Sequence, residues 1–445
     1  MNALKIKNKE LNNTIYTGIT YSHSYIYSFE EEINKTTQPT HSYSDTFLYL
    51  PKNLELKKIL KENGKKEKFF FHYAYIISTI YLGRFLNKKY TKESFIPINI
   101  DTARKIISQR KCVEIIKDLI CWGIIECDNK KQIGSKSYGY RFPIHTPPYS
   151  DTFFKIKVED KLIIKKMNNF KEKQKEEAIL AGEDYLHLYN FIHKIKINYK
   201  DALEYIDTNY IPFTDDYDSR KLSIELISSG DIFFKVDRKG NRAHTNLTNL
   251  ASDLRNFITF EGRKLGQVDL KNSQPFLLNL IIKNKINLRD ENQYAEYVKF
   301  KELTQDGQFY EYLMDEFGIE NTNEDARKEF KKLFFGRVFF DINRSELKKE
   351  EKLFQELFPT IFKLIRELKK DDYTNLALSL QKAESNVIIN ECIRKIRLEN
   401  PDMFVSTIHD SIVGELKNLE YFKQIVLDVF ELKYNLTPGI KLEKF

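Results

Sequence analysis

The sequence predicts an α+β protein in which several helices accompany short strands. Three observations indicate this class. The chain has 445 residues, enough for about three structural units that each bury a core. Helical periodicity runs through several segments, most clearly 109–121. Short apolar segments at 265–270 and 403–416, each next to turn residues, indicate strands in the last part of the chain.

Composition excludes several classes of protein. The four cysteines, Cys112, Cys121, Cys127 and Cys392, form no C-x-x-C pair and no zinc spacing, so we expect packing residues in a reducing compartment. The start, MNALKIKNKELNN, lacks the apolar core of a signal peptide, and no run approaches the roughly 18 apolar residues of a membrane span. We therefore expect a cytoplasmic protein without a membrane partner. Lys and Arg number 72 against 64 Asp and Glu, and this net charge of +8 permits a polyanionic partner without requiring one.

Changes in pattern divide the chain into four regions. Residues 1–65 mix Thr, Ser, Tyr and Asn with little periodicity and are predicted to form an irregular arm. Residues 66–150 contain helices and a hairpin and end in a linker at 146–150 (TPPYS). Residues 151–235 are predicted to be a connector of Lys/Glu-rich helices, and residues 236–445 combine strands with helices.

Residues 66–150 have the order helix, helix, helix, hairpin. An apolar helix begins at Lys68, a second helix is predicted to be capped by Asp101, and a third follows the cap Ser108 and ends at Gly123. The buried stripe of the third helix is predicted to consist of Val113, Ile116, Leu119 and Ile120. Residues 124–142 then alternate as two strands around a basic tip. This order resembles the winged helix-turn-helix fold.

The resemblance to a winged helix implies contact with duplex DNA. A helix that follows a tight turn fits the major groove, and a basic hairpin tip reaches the neighbouring phosphates. The residues expected to contact DNA are Arg110 and Lys111 at the helix start and Lys130, Lys131 and Lys136 in the hairpin tip. The alternative is that the winged fold only packs against the rest of the chain.

Two aspartates in residues 236–445 lie where strands are predicted to end. Asp269 ends the strand in LGQVDLKNSQPFLLNLI (265–281), and Ser273 is predicted to cap the helix that follows. Asp410 follows His409 in the turn between MFVSTI and IVGEL, where a hairpin would ordinarily use Asn-Gly or Asp-Gly. Either aspartate alone is a weak signal, because an Asp at such a position is more often a cap or a turn former.

A basic helix is predicted between these two aspartates in the chain. Within residues 323–340, Arg327 and Lys331 share one face at i, i+4, with Lys328 and Lys332 beside it. A Lys-rich face is usually only solvated. Paired carboxylates that bind Mg²⁺, together with cations that neutralise a triphosphate, are nevertheless what nucleotidyl transfer requires.

Segments over residues 240–416 resemble the palm and fingers of family A DNA polymerases and the related single-subunit RNA polymerases. Asp269 with Ser273-Gln274 resembles motif A, residues 323–336 resemble the motif B helix, and His409-Asp410-Ser411 resembles motif C. Residues 240–250 (GNRAHTNLTNL) resemble the segment that places an arginine near the primer–template minor groove, and residues 381–397 resemble the Gln-x-x-Ala helix before motif C.

This resemblance implies a palm of antiparallel sheet and helices, helical fingers, and template-dependent nucleotidyl transfer with two Mg²⁺ ions, or Mn²⁺ in their place. It assigns the metal site to Asp269, Asp410 and Leu270. It assigns contacts with the incoming nucleotide to Arg327, Lys328, Lys331, Lys332, Phe335 and Gln274. It assigns contacts with primer or template to Arg242, Gln381 and His409, although His409 as a buried, hydrogen-bonded turn residue is an alternative. The implied partners are primer–template and duplex DNA and nucleoside triphosphates, and the expected context is replication of a phage, plasmid or other mobile element.

Departures from the family pattern leave the choice of nucleotide open. Ser-Gln lies two residues later than in the DNA polymerases, closer to the spacing of the RNA polymerases, and Gln274 replaces the Glu that crowds a 2′-hydroxyl in the DNA enzymes. Phe335 lacks the tyrosine hydroxyl of the RNA enzymes, which favours the DNA enzymes. Ser411 stands where the H-D-E form of motif C has its last acid. The alternatives are an RNA polymerase or primase, and a non-catalytic replication initiator or regulator whose palm is degenerate.

Overall fold

The computed structural model describes residues 46–85, 90–91, 93–130, 137–143, 153–212, 214–319 and 324–445. This part of the chain combines α-helices with small antiparallel sheets, so the predicted mixture of helix and antiparallel sheet is confirmed. The contacts of residues 45–445 group them into one compact unit. None of the described helices is both long and apolar enough to cross a membrane.

The N-terminal elements surround a long, largely buried helix. They are β1 (Phe47–Pro51), α1 (Leu56–Glu62), α2 (Phe70–Phe85), β2 (Ile96–Pro97), α3 (Ile100–Ile106), α4 (Gln109–Cys121), β3 (Glu126–Cys127), β4 (Gly139–Arg141) and β5 (Phe153–Lys157). Strands β2, β4 and β3 form one sheet in that order, and β1 pairs with β5 in a second. The order of elements from α2 to β4 is therefore helix, strand, helix, helix, strand, strand.

The irregular arm predicted for residues 1–65 is wrong from residue 47 onward, since β1 and α1 lie there. Residues 1–45 and the predicted linker 146–150 lie outside the described residues. β1 is one half of a ladder whose other half, β5, comes far downstream in the chain. The backbone of Tyr49 also donates to the Ser78 hydroxyl of α2, at 3.0 Å. A strand that depends on such distant partners has little local signature.

Three local details of the N-terminal helices were predicted wrongly. Helix α3 is capped by Asn99, whose side chain accepts from the Thr102 amide at 3.1 Å, and not by Asp101. Ser108 precedes α4, but its side chain makes no capping hydrogen bond. The predicted buried stripe of α4 is right for Ile116 and Leu119 and wrong for Val113 and Ile120. Val113 and Ile120 are each 38% exposed, and the buried residues are Cys112, Ile115, Ile116 and Leu119. Gly123 ends the helix region with φ of +68°, as predicted.

The middle of the chain joins the N-terminal elements to the rest. Its elements are α5 (Lys161–Ala181), α6 (Glu183–Ile192), β6 (Ile195–Ile197), α7 (Tyr199–Asn209), α8 (Asp215–Ser228), β7 (Phe234–Val236), β8 (Ala243–Thr245) and α9 (Asn246–Asn249). A core cluster combines Tyr49, Tyr81, Phe85 and Phe153 with Leu222 and Leu226 of α8. Arg84 also pairs with Asp215, with Nη2 and Oδ1 2.5 Å apart. Helix α2 is thereby held against α8.

The C-terminal elements are a sheet and a set of helices. They are β9 (Ile258–Phe260), β10 (Arg263–Leu270), α10 (Ser273–Ile282), α11 (Glu291–Gln305), α12 (Phe309–Glu316), α13 (Glu324–Phe334), α14 (Lys349–Leu357), α15 (Pro359–Leu368), α16 (Thr374–Ser385), α17 (Arg394–Glu399), β11 (Ser406–Ile408), β12 (Ser411–Glu415), α18 (Leu419–Tyr434) and β13 (Ile440–Lys444). Wider π-helical turns follow α13 at Phe335–Phe340 and α16 at Asn386–Ile393.

Strand β10 is the centre of the C-terminal sheet. The strand order is β11, β12, β10, β9, β6, and β13 also pairs with β10. The first residues of β10 pair with β9, whereas the later residues lie between β12 and β13. The end of β10 is therefore flanked by a strand on each side, which determines what surrounds Asp269.

Candidate active site

Asp269 and Asp410 are brought together by the pairing of β10 with β12. The antiparallel register places Val268 opposite Ile412. One step further along the ladder, the Ser411 hydroxyl donates to Asp269 Oδ1 at 2.5 Å. Asp410 is the residue before Ser411, in the turn that joins β11 to β12. Since paired strands lie about 4.8 Å apart, the two aspartates are neighbours at one end of the sheet.

The electrostatics of Asp269 show how closely the two carboxylates interact. Burial and then the charge of Asp410 raise the pKa of Asp269 to about 6, against the opposing effects of the Ser411 hydrogen bond and the Lys331 charge. Glu443 on β13 also raises the pKa. A partly buried carboxylate beside a second carboxylate is poorly stabilised without a cation.

The raised pKa of Asp269 predicts that Asp269→Asn stabilises the metal-free protein. A carboxyl with a folded-state pKa of about 6 and an ordinary value of 3.8 opposes folding once it is ionised. This penalty is fully present above the folded-state pKa and disappears as the pH falls below the ordinary value. The asparagine oxygen can still accept from Ser411. We expect a gain of about 1–2 kcal/mol in unfolding free energy at about pH 8, measured by denaturant unfolding with a chelator. The gain should vanish near about pH 4, and an equal gain at both pH values would contradict the assignment.

His409 faces solvent beside the two aspartates. It has φ of +54°, an uncommon conformation for a residue other than glycine. Its side chain lines a cleft of about 620 Å³ together with His244 and Arg220. Partial desolvation and the charge of Arg242 lower the pKa of His409. The alternative of a buried, hydrogen-bonded turn residue is wrong, because His409 is exposed and makes no hydrogen bond to the part of the chain that the structure describes.

A third carboxylate, Glu384, lies close enough to Asp410 for the two charges to interact. It accepts from Arg242 through two hydrogen bonds, of 2.8 Å to Oε1 and 2.5 Å to Oε2, and Oε2 also accepts from Gln274 at 3.1 Å. Burial raises the pKa of Glu384 to about 7, although Arg242 lowers it, and Asp410 adds to the rise. Arg242 and Gln274, which the sequence assigned to different contacts, therefore meet at one buried carboxylate.

Sequence reasoning missed Glu384. It lies in the segment that begins at Gln381 and was identified by resemblance, but a glutamate on a helix ordinarily faces solvent. Its partner Arg242 is 142 residues earlier in the chain. Gln381 lies on the same helix and packs so closely against Gly240 that a Cβ there would meet its Oε1 at 2.7 Å. The Gln381 side chain thus borders the turn that carries Arg242.

Among the four cations predicted on α13, the charge of Lys331 lowers the pKa of Asp269. Arg327 is on the same face, but its Nε donates to Glu311 at 2.5 Å. Lys328 pairs with Asp325 at 3.7 Å. Lys332 lies on another side of the helix, where it lines a surface hollow of about 450 Å³ with Glu329, Leu333, Gly336, Arg337 and Asp341. The four cations therefore do not form a single anion-binding stripe.

Phe335 begins the π-helical turn after α13 and is only 9% exposed. Its ring stacks on Phe340, with centroids 5.6 Å apart, and contacts Tyr310 and Phe339. The Lys331 amine lies 6.0 Å from its centroid. In this arrangement Phe335 packs among aromatic side chains, and stacking on an incoming base stays a prediction.

The donors near Asp269 and Asp410 suit a hard cation. Mg²⁺ is commonly held by one or two carboxylates plus water and substrate phosphates, and not by a complete protein cage. The described residues contain no group of three or more His, Cys, Asp or Glu arranged to hold a metal. The predicted third donor, Leu270, follows Asp269 and has a buried side chain, so only its backbone carbonyl is a candidate. The oxygen-only donor set fits the expected ion.

The residues predicted to contact DNA are only partly within the described chain. Arg110 is exposed in the first turn of α4, and Lys130 is exposed after β3. Lys111 lies over the Phe69 ring, with Nζ 4.4 Å from the centroid. Lys131 and Lys136 lie outside the described residues.

The chain was compared with protein families, curated proteins and solved structures. No protein-family model and no curated protein matches this chain. Among solved structures, the chain is similar to the POL domain of Pol1 from M. smegmatis in complex with DNA primer-template and dNTP, with 12% identity and a TM-score of 0.37. The similarity covers 55% of this chain and 55% of that one, so this chain spans about half the length of that structure.

Proposed function

We propose that this protein is a template-dependent nucleotidyltransferase of the family A DNA polymerase type that uses two Mg²⁺ ions. The observation that carries the proposal is that Asp269 at the end of β10 and Asp410 in the turn before β12 lie side by side, with the positive charge of Lys331 on α13 lowering the pKa of Asp269. The alternative that two such aspartates are unrelated turn formers does not account for a shared, partly buried site.

The residues of this chain have distinct roles in the proposed reaction. Asp269 and Asp410, with the carbonyl of Leu270, would hold the ions. When bound, the ions would lower the pKa of the attacking hydroxyl and stabilise the leaving pyrophosphate. Lys331 would neutralise charge on the triphosphate. Ser411 keeps Asp269 in one orientation through their hydrogen bond.

The proposal includes a winged-helix module over residues 66–150. It is supported by the order of elements from α2 to β4 and by the three-stranded sheet β2, β4, β3. Arg110 lies at the start of α4, the helix that would enter the major groove. The core cluster between α2 and α8 would hold this module at a fixed position relative to the aspartates.

Alanine at Lys130, Lys131 and Lys136 is expected to weaken binding to duplex DNA. Each lost phosphate contact lowers the slope of log affinity against log salt by about 0.9, so the triple variant should lose nearly three units of slope. Fluorescence anisotropy with a labelled duplex at several salt concentrations measures this. Alanine at Lys161, Lys165 and Lys173, three exposed lysines of α5, removes the same charge elsewhere. Equal effects of both triple variants would leave no role for the hairpin tip.

A primer-extension assay tests the proposed activity. The wild-type protein is incubated with Mg²⁺, a primer–template, and either deoxy- or ribonucleoside triphosphates, with a chelator as the metal control. Extension with deoxynucleotides supports the DNA polymerase. Ribonucleotide synthesis without a primer would assign a primase or RNA polymerase instead, and the absence of any metal-dependent incorporation would leave the non-catalytic initiator.

A further inference from the structure

We propose that Glu384 is a positioning residue that holds Arg242 and Gln274 in the arrangement that contacts the end of a primer–template duplex. The inference rests on the proposed function, because it concerns the duplex that would be extended beside Asp410. Glu384 itself touches neither nucleotide nor metal. Its effect is transmitted through the two side chains that it binds.

The contacts leave Glu384 with little freedom. Its side chain is 1% exposed and that of Arg242 is 19% exposed. Both carboxylate oxygens are used, by Arg242 Nε and Nη2 and by Gln274 Nε2. A two-point contact between guanidinium and carboxylate fixes the plane of the arginine as well as its position.

The backbone that carries Arg242 is fixed by a second set of contacts. The Ser385 hydroxyl donates to the Gly240 carbonyl at 2.8 Å, and the Gly240 amide donates to Asp237 Oδ2 at 2.8 Å. A larger residue at position 240 would clash with Gln381. The end of helix α16 therefore contacts the turn that carries Arg242, and the Tyr185 hydroxyl of α6 also holds this turn by donating to the Asn241 carbonyl at 2.6 Å.

The orientation of Arg242 suits contact with a duplex end. Nε and Nη2 point to Glu384, so Nη1 is on the opposite edge of the guanidinium. The charge of Arg242 acts on His409, which lines the solvent cleft next to Asp410. A guanidinium donor can bond to purine N3 and pyrimidine O2, the minor-groove acceptors that every base pair presents. Such a contact detects a paired terminus without selecting a sequence.

A purely structural role does not explain why a carboxylate is buried at position 384. Buried ion pairs contribute little net stability compared with apolar side chains of the same volume. Glu384 instead joins three segments that converge beside Asp410, namely the turn before β8, the start of α10 and the end of α16. Gln274 also fits this arrangement better than a glutamate would, because a glutamate would place a second carboxylate about 3 Å from the first.

Glu384→Gln is expected to raise the KM for primer–template about tenfold, with a smaller change in kcat. Steady-state extension of a defined primer–template measures both constants, and thermal unfolding reports the folded state. The matched control is Asp184→Asn, which alters another buried carboxylate. Asp184 lies in the first turn of α6 and accepts from Arg394 at 3.0 Å and from Arg397 at 2.9 Å. The control should lower thermal stability and leave the KM for primer–template unchanged.

A mutant cycle in an Arg242→Ala/Gln274→Ala background separates positioning from a general loss of structure. If Glu384 acts through these two side chains, adding Glu384→Gln to that background changes the KM no further, whereas an additional rise in the KM would overturn the proposal. An unchanged KM in Glu384→Gln alone would also overturn it. If Glu384→Gln fails to fold, the triple variant Arg242→Ala/Gln274→Ala/Glu384→Ala, which leaves no unpaired buried charge, takes its place, and it should equal Arg242→Ala/Gln274→Ala in KM.

Binding measurements distinguish failure of this inference from failure of the proposed function. The affinity of a labelled primer–template is compared with that of blunt duplex for wild type and Glu384→Gln, without nucleotides. If wild type prefers the primer–template but does not extend it, the proposed function fails, and a lost preference in Glu384→Gln still supports the inference. If wild type shows neither extension nor preference, both proposals fail.

Discussion

Asparagine in place of Asp269 or Asp410 is expected to abolish nucleotide incorporation, with kcat reduced by about 10³-fold or more. Each substitution removes one negative charge from a pair of neighbouring carboxylates and leaves the side-chain volume almost unchanged. For Asp269 the loss of activity should accompany a gain in stability without metal, because an ionised carboxylate is no longer buried and its repulsion by Asp410 is removed. A misfolded variant would lose both activity and stability. A variant that loses activity and gains stability is therefore not explained by misfolding. Single-turnover extension and denaturant unfolding of the same preparation measure the two quantities.

The matched control for these variants is Asp402→Asn. Asp402 is an exposed aspartate in the segment before β11, so it receives the same chemical change close to Asp410 in the chain. Its activity should stay within about twofold of wild type, as expected for a surface substitution. Comparable extension by wild type, Asp269→Asn and Asp410→Asn would show that these aspartates have no role in the reaction. The C-terminal sheet would then have only a structural role.

The sequence predicted the strand end at Asp269 and the turn at Asp410 from local patterns. It did not show that the two aspartates lie side by side. A strand that ends in Asp269 and a hairpin turn that holds His409 and Asp410 follow from short-range patterns of apolar and turn residues. The strand order β12, β10, β13 could not be predicted in this way, because register depends on which apolar faces pair across long stretches of chain. The resemblance to a polymerase family supplied the expectation that the two aspartates converge.

The N-cap residues of the helices were harder to predict, because several neighbouring polar residues could each occupy the cap position. Asn272, with φ of +50°, precedes α10, and it makes no side-chain cap. Ser273, predicted to be the cap, is instead the first helical residue. Asn99 similarly takes the position assigned to Asp101. Neighbouring polar residues each have the chemistry of a cap, so the backbone path decides between them.

The sequence also could not show which cation of α13 lies near Asp269. Arg327, Lys328, Lys331 and Lys332 are equivalent in sequence as cations on one helix. In the structure Arg327 is bonded to Glu311, and Lys332 lies beside a separate hollow. The surroundings of each cation, and not the helical spacing, determine which one is available to a triphosphate.

Lys331→Ala is therefore expected to lower kcat/KM for the incoming nucleotide by about 10- to 100-fold. In the proposed reaction Lys331 neutralises charge on the triphosphate, so its loss would remove an interaction that strengthens as charge develops on the leaving group. The matched variant is Lys332→Ala, which removes an equally exposed lysine from the next position of the same helix. Its kcat/KM should change by no more than about twofold. Steady-state incorporation of a single nucleotide on a fixed primer–template measures both variants.

The pH dependence of Lys331→Ala gives an independent check on the position of this lysine. Lys331 lowers the pKa of Asp269, so its removal lets that pKa rise further above its ordinary value. The carboxylate is then protonated at a higher pH, and at limiting Mg²⁺ the acidic limb of the activity profile should move to higher pH in Lys331→Ala but not in Lys332→Ala. If both variants lost activity equally with superimposable profiles, α13 would act only as a general positive surface, and Lys331 would have no specific position above the aspartates.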